Sequence, residues 1–361
     1  MGEKNLKHRI ESLRRLFETE KLDGYLVAKE VNLVYFTNYL SEGKLVVPRD
    51  GESVLYVDGR YYEEAKDNVK DIKVELVKKK GTLDVVVQSR MKDLGFKHIG
   101  FDSLDIGLYL NFSKALGNVE FTPKNEVVMN LRKVKDKQEI ECIRKAAELT
   151  SAGMKSATET IRPGLREYEV AAEAEYIMRK SGSGMIAFDT IVAGGSHSAF
   201  PHARCTDYKI KKGDLVVIDI GASFQHYKAD MTRTVVAGKP SPKQEKIYKI
   251  VKDAQEKAFQ SVKAGVRCID VDAVARKHIE NEGYNEYFVH GLGHGVGLEV
   301  HESPPTLSSE SKDVLESGNV VTVEPGIYIV DFGGVRIEDT VLVKKDGAER
   351  LTKTACNLEI P

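Results

Sequence analysis

Asp219 and Asp230 stand eleven residues apart, in Val216-Val217-Ile218-Asp219-Ile220-Gly221 and in a stretch running from Tyr227 through Asp230 to Thr232-Arg233-Thr234. An apolar run of this type reads as a buried strand, where a carboxylate is costly unless something neutralises it. A divalent cation would do so. Two more acids follow the same pattern, Glu324 in Val320-Val321-Thr322-Val323-Glu324-Pro325-Gly326 and Glu338 in Gly334-Val335-Arg336-Ile337-Glu338-Asp339. The spacing within each pair suits two arms of an antiparallel ladder, which would set the acids side by side. Four buried carboxylates without a cation would repel and raise one another's pKa values. The competing reading is four separate salt bridges with Arg233, Arg336 and lysines, and it requires four coincidences.

Histidines complete the constellation. His290, His294 and His301 fall within twelve residues, separated by the glycines of His290-Gly291-Leu292-Gly293-His294-Gly295-Val296-Gly297. A lone histidine is more often a structural hydrogen-bonder, but three in a stretch whose glycines permit close backbone approach read as a site. Asp219, Asp230, Glu324 and Glu338 with one histidine make an oxygen-rich donor set without thiolates, unlike a structural zinc site. It suits manganese, cobalt or zinc, and the number of acids suggests two ions sharing bridging carboxylates. Two ions about 3.5–4 Å apart can hold a bridging hydroxide, polarise a carbonyl and stabilise an oxyanion, which is hydrolytic chemistry.

The elements that must position these residues form two regions. The first begins with helical spacing over residues 6–20, then a buried strand at Tyr25–Ala28. Two short strands, 45–48 and 53–57, are joined through Asp50-Gly51, a step suited to a tight antiparallel turn. Further strands are expected at 72–76, 99–101 and 119–121, with helical patterns near 60–68, 82–93 and 104–116. This alternation predicts an α/β unit with helices covering a sheet. It holds no phosphate loop and no clustered acids, so packing or oligomerisation is its expected role. The pattern changes around Pro123–Val134, placing the boundary at residue 130: an N-terminal domain over 1–130 and a second over 131–361.

The second region carries an internal repeat. Ile161-Arg162-Pro163-Gly164-Leu165-Arg166, continuing through Glu169, Val170, Ala172 and Ala174 to Gly182, aligns without a gap onto Val262-Lys263-Ala264-Gly265-Val266-Arg267, continuing through Asp270, Val271, Ala273 and Ala275 to Gly283. Each copy follows a long helical pattern (137–160 and 241–261) and precedes strand-like sequence, which predicts one domain built from two related halves. Ligand sites favour such junctions.

Composition sets the outer bounds. At 361 residues, 41% apolar and 30% charged, the chain can bury a sizeable core, and its net charge of −1 gives no bias toward nucleic acid or anionic membranes. Cys142, Cys205, Cys268 and Cys356 lie far apart with no metal-type spacing, which fits buried thiols in a reducing cytoplasm. No signal-peptide pattern opens the chain, and no run approaches the roughly 20 apolar residues of a membrane span.

Taken together, Asp219…Asp230-Met-Thr-Arg-Thr, His290-x-x-x-His294-Gly, Val-His301-Glu, Glu324-Pro-Gly and Arg336-Ile-Glu338-Asp resemble the pita-bread metallopeptidases: methionine aminopeptidase, aminopeptidase P and prolidase. The resemblance spans the chain. It implies a creatinase/prolidase-like α/β N-terminal domain, an α+β pita-bread domain with a pseudo-two-fold repeat, and a homodimer. It implies Asp219, Asp230, His294, Glu324 and Glu338 as ligands of two divalent ions, with Asp230 and Glu338 bridging and Glu324 also the general base. His301, His290 and His202 match positions that contact substrate and tetrahedral intermediate, and Tyr328 and Arg336 match residues that support ligands and substrate. The implied reaction is hydrolysis of an Xaa-Pro bond. Many prolidases carry an arginine shortly after the His-Glu motif, suited to a dipeptide's free carboxylate. Here the stretch reads His301-Glu302-Ser303-Pro304-Pro305-Thr306. Its absence favours an Xaa-Pro aminopeptidase acting on longer peptides, with Xaa-Pro dipeptidase and a non-catalytic scaffold as alternatives.

Overall fold

A computed structural model describes residues 6–78 and 82–359. The chain separates into two compact units, Met1–Arg132 and Lys133–Pro361.

In the first unit, α1 (Lys7–Glu20), α2 (Glu30–Thr37), α3 (Tyr62–Asn68), α4 (Leu83–Asp93), α5 (Ile106–Leu116) and α6 (Asn125–Lys133) accompany six strands. These are β1 (Gly24–Val27), β2 (Lys44–Pro48), β3 (Val54–Asp58), β4 (Lys73–Val77), β5 (His98–Phe101) and β6 (Glu120–Pro123), in the order β4-β3-β2-β1-β5-β6. The β2–β3 pair is antiparallel, as its Asp-Gly turn predicts, whereas β1, β5 and β6 run parallel. Two helices were not expected, α2 and α6. In α2, Val31 is the one apolar side chain left partly open, while Leu33, Val34, Tyr35 and Phe36 are all buried, so no amphipathic period marks it. Its first turn is held from a distant strand end, where buried Asp102 accepts from the Ala28 and Lys29 amides and from Asn32 Nδ2.

The second unit opens with α7 (Lys137–Thr160) and α8 (Glu167–Lys180), then β7 (Ile191–Gly194), β8 (Leu215–Ile220), the small hairpin β9 (Ser223–Phe224) and β10 (Tyr227–Lys228), and β11 (Met231–Val236). Then come α9 (Pro242–Ser261), α10 (Cys268–Asn281), β12 (Gly293–Gly295), β13 (Glu302–Leu307), β14 (Val320–Val323), a hairpin β15 (Gly326–Ile329) and β16 (Gly333–Arg336), β17 (Asp339–Lys344) and β18 (Gly347–Arg350). Both long helices begin on capping boxes, Asp136 with Glu139 and Ser241 with Gln244.

The repeat in the sequence is a repeat in space. Helix pairs α7–α8 and α9–α10 precede the antiparallel series β7-β8-β11 and β12-β14-β17, and each series is interrupted by one hairpin. Two cores result, one within the first half and one centred on the second that also takes in Leu215 and Val236. Leu149, Met154, Val170 and Met178 pack on Val216, Ile218 and Ile220, while Val251, Ala254, Val271 and Ile279 pack on Val321, Val323 and Val341. Gly164 and Gly265 enter the matching turns at φ +97° and +86°, and Arg166 and Arg267 each form an isolated bridge to Lys209 and Val314.

Alternation along the strands separates packing from chemistry. Val216, Ile218 and Ile220 face the helices, which turns Asp219 to the opposite side; Val321 and Val323 do the same for Thr322 and Glu324. The register corrects one expectation. Glu324 and Glu338 do fall opposite each other, in the step between the β14–β17 pair (Val323 with Asp339) and the β15–β16 pair (Gly326 with Arg336). Asp219 does not face Asp230: its partner is Thr232, and Asp230 lies just before β11, diagonal to it. The diagonal still keeps the acids on neighbouring strands of one face.

Space around Gly164 and Gly265 is open, so a methyl group there meets no atom and only the left-handed backbone is penalised. Gly164→Ala and Gly265→Ala should each lower unfolding stability by about 1–2 kcal/mol. Equal midpoint shifts in urea would reflect one turn used twice; a neutral variant would show that the turn relaxes.

Candidate metal centre

The inward faces of the two halves meet at a cleft of about 490 Å³ lined by Asp219, Asp230, His294, Glu324 and Glu338, together with His202, His290, His301, Arg204 and Arg336. Ligand atoms of Asp230, His294 and Glu338 all lie within 4.8 Å of one another. His294 Nε2 is 3.7 Å from Asp230 Oδ2 and 3.3 Å from Glu324 Oε1. Asp219 borders the same space, with Oδ2 accepting from Arg336 Nη2 at 2.6 Å.

Three oxygens identify what the cluster lacks. Asp219 Oδ1, Asp230 Oδ1 and Glu338 Oε1 are buried without a hydrogen-bond partner. One orphan acceptor costs about 1–3 kcal/mol, so three at one point are costly unless a cation takes them. The carboxylate-rich donor set, one imidazole and convergent orphan oxygens fit a divalent metal centre. The competing reading of four separate salt bridges does not hold, since of the four acids only Asp219 pairs with an arginine; Arg233 goes to Asp339 instead, at 2.7 Å.

Side chains around the ligands fix their orientation. His294 Nδ1 donates to the Gly295 carbonyl at 3.0 Å, which leaves Nε2 as the ligating nitrogen. Thr322 accepts from the His294 amide and donates to Glu324 Oε1, both at 3.0 Å. Thr232 donates to Glu338 Oε2 at 2.6 Å and accepts from Arg336 Nε at 3.1 Å. A Cβ on Gly293 would lie 2.2 Å from the Thr322 carbonyl, so glycine is what lets β12 come this close to β14.

Electrostatics divides the acids. Burial, then the charges of Glu338 and Asp219, pushes Asp230 well above the ordinary carboxylate range. Glu338 is raised likewise by burial and by Glu324 and Asp219. Glu324 is opposite: burial acts to raise it, but the hydrogen bond and charge of His294 prevail and hold it at about 2. Without a cation the cluster therefore keeps protons on some of its acids, and metal binding displaces them.

The remaining expected residues are placed as follows. His301 is exposed at the cleft, its ring centroid 4.1 Å from that of His294, and burial together with the His294 charge lowers its pKa. His202 is exposed and lines the same cleft, following Phe200-Pro201. His290 lines the cleft, but both nitrogens are engaged, Nδ1 with the Gly291 carbonyl at 2.7 Å and Nε2 with Tyr328 Oη at 3.0 Å. Tyr328 and Arg336 had been expected to touch substrate as well. Tyr328 is absent from the lining, its hydroxyl held by Arg336 Nη1 at 2.8 Å, and Arg336 is 3% exposed and committed to protein partners. Both act through their neighbours.

Two positioning residues, Glu167 and Lys135, gave no signal in the sequence, while Glu302 stood there only as part of the His301-Glu302 motif with no role attached. Glu167 is fully buried and accepts from the Gly194 amide, His197 Nδ1 and both donors of Thr206, bracing the segment that carries His202. Lys135 and Glu302 form a buried ion pair at 3.1 Å beside His301. Lone charges within helical or loop sequence carry no periodicity, so nothing local distinguishes them from solvated ones.

This fold and this set of ligands define a metal-dependent hydrolase. Residues 141–345 match the metallopeptidase family M24, and residues 9–134 match the creatinase/prolidase N-terminal domain. The chain belongs to metallopeptidase family M24, with a creatinase-type N-terminal unit and a pita-bread C-terminal unit. It is 43% identical to an Xaa-Pro dipeptidase of Pyrococcus furiosus over 97% of this chain and 99% of the relative. Among solved structures, an Xaa-Pro dipeptidase from Bacillus anthracis superposes with a TM-score of 0.94 at 38% identity, covering 99% of this chain and 100% of that one. An X-Pro aminopeptidase from Thermotoga maritima matches with a TM-score of 0.89 at 37% identity, over 97% and 99% of the two chains. Among the described residues, no helix is long and apolar enough to cross a membrane.

A raised carboxylate pKa favours the folded state below the unfolded value, near 3.8 for Asp230, and that contribution is lost as pH rises through the folded value. In chelator-treated protein, Asp230→Asn should therefore gain melting temperature relative to wild type as pH rises from about 5 to 8. A difference that is flat with pH in scanning fluorimetry would contradict the crowding of these acids.

Proposed function

We propose that this chain is an Xaa-Pro dipeptidase, hydrolysing the bond between an N-terminal residue and a C-terminal proline. The observation that carries the reading is the convergence of Asp230, His294 and Glu338 within 4.8 Å, with orphan oxygens, in a cleft that also presents Glu324 and His301. Asp219 and Glu324 would complete the set of residues holding the ions. Two divalent ions, manganese or cobalt and less readily zinc, would supply a Lewis acid for the peptide carbonyl and a water of lowered pKa.

The chain's own residues do the rest. Glu324, whose carboxylate lies 3.3 Å from His294 at the edge of the cleft, would accept the proton of the attacking water. His301, whose pKa burial lowers, and His202 both line the cleft and would contact the scissile carbonyl and the substrate. The relay Arg336 to Tyr328 to His290 holds the third imidazole, whose pKa burial also lowers. A substrate with free amine and carboxylate would lie along this cleft. Four unbridged cysteines are compatible with a cytoplasmic setting, and a homodimer completes the reading.

The missing arginine at Pro305 first favoured the aminopeptidase. The relatives shift the balance to the dipeptidase, since the Pyrococcus furiosus and Bacillus anthracis proteins bear that name. The aminopeptidase remains the second reading, on the strength of Pro305 and the Thermotoga maritima structure.

With manganese or cobalt, an Xaa-Pro dipeptide should be cleaved with kcat/KM at least about tenfold above the matching tripeptide. The reverse order would restore the aminopeptidase, and no release from either peptide with any divalent ion would remove the peptidase assignment. Glu324→Gln should lower kcat by a factor of at least about 10²–10⁴, and Asp230→Asn should lose activity and bound metal together.

A further inference from the structure

A dipeptide carries a free carboxylate one residue beyond the scissile bond, where a longer peptide carries an uncharged amide. Selective capture of a dipeptide therefore requires a cation on the proline side, and Pro305 stands where many prolidases place one. Apart from histidines, Arg204 and Arg336 are the cations lining the cleft. Arg336 is already engaged: Nη2 goes to Asp219 at 2.6 Å, Nη1 to Tyr328 at 2.8 Å and to the Pro201 carbonyl at 3.2 Å, and Nε to Thr232 at 3.1 Å.

Arg204 differs in every respect. Its side chain is exposed, and among the described residues no carboxylate, carbonyl or hydroxyl partners its guanidinium. Asp189 also lines the cleft, yet no ion pair joins the two. The backbone around Arg204 is firmly anchored. Ala203 is buried and its amide donates to the Phe200 carbonyl at 3.1 Å; Cys205 Sγ donates to the Thr190 carbonyl at 3.1 Å; Thr206 is tied to buried Glu167 through its amide and its hydroxyl. His202, Ala203 and Arg204 in succession line the cleft. An anchored backbone bearing an uncommitted planar fork is suited to bidentate capture of a carboxylate.

We propose that Arg204 binds the C-terminal carboxylate of the dipeptide and so sets the length of substrate this enzyme accepts, an assignment that rests on the dipeptidase reading. In a longer peptide the same position holds an uncharged amide, which leaves the guanidinium unpaired.

The test compares an Xaa-Pro dipeptide with its C-terminal amide on the full-length, manganese-loaded enzyme. Wild type should prefer the free acid, with a KM for it that rises with salt. Arg204→Ala should raise that KM about tenfold or more while kcat stays within about threefold, so that the acid-to-amide ratio of kcat/KM collapses toward one. Arg204→Lys, which keeps the charge without the fork, should fall between the two. An acid-to-amide ratio unchanged in Arg204→Ala, with wild type still cleaving the dipeptide, overturns the Arg204 assignment alone. A wild type that fails to cleave the dipeptide, or prefers the amide, overturns the dipeptidase reading beneath it. Because the side chain is exposed, matching melting curves should confirm an intact fold.

Discussion

Everything around the cleft follows from the cost of placing four carboxylates on the inward faces of buried strands. They cannot all be charged in one small volume unless cations join them, and the positions of neighbouring residues answer to that constraint. Thr232 and Thr322 donate to Glu338 and Glu324, Arg336 takes one oxygen of Asp219, and His294 holds Glu324 ionised. What these donors leave unmatched is one oxygen on each of Asp219, Asp230 and Glu338. The inconsistency of the isolated protein is local, and it falls where the chemistry is needed.

Strand alternation makes such a site affordable in a stable fold. Helix-facing positions carry Val and Ile and form two cores, while the intervening positions carry Asp, Glu, Thr and Arg and form the cleft. Each strand does both tasks, so rigidity of the packing side is transmitted to the ligands through a single backbone. The capping residues and paired glycine turns serve the same end by fixing where the helices begin.

Much of this was legible before any coordinates. The ligands stood out because acids in β-branched runs violate the usual pattern, and the repeat stood out because turn glycines and arginines recur at one spacing. Less visible was whatever depends on partners remote in sequence. Helix α2 is apolar on nearly every face and is capped by Asp102, so it lacks both a period and a local start signal. The diagonal offset of Asp219 from Asp230 depends on register, which spacing alone leaves open by a residue or two. Glu167 and Lys135 look like ordinary surface charges until their burial is known, and the buried partner of Glu302 is not visible in the motif that contains it. The reading of substrate length leaned on one position, Pro305, whereas the cleft has another candidate cation on a different segment.

The two halves of the catalytic unit differ in what they contribute: Asp219 and Asp230 come from one, His294, Glu324 and Glu338 from the other, and Leu215 and Val236 of the first half join the core of the second. Divalent ions held between them would add a reversible crosslink to the direct hydrogen bonds that already join the halves, such as Thr232 to Glu338 and Arg336 to Asp219. The strength of that extra link would follow free metal concentration and pH, so cofactor supply would tune the mechanical stiffness of the cleft as well as its chemistry.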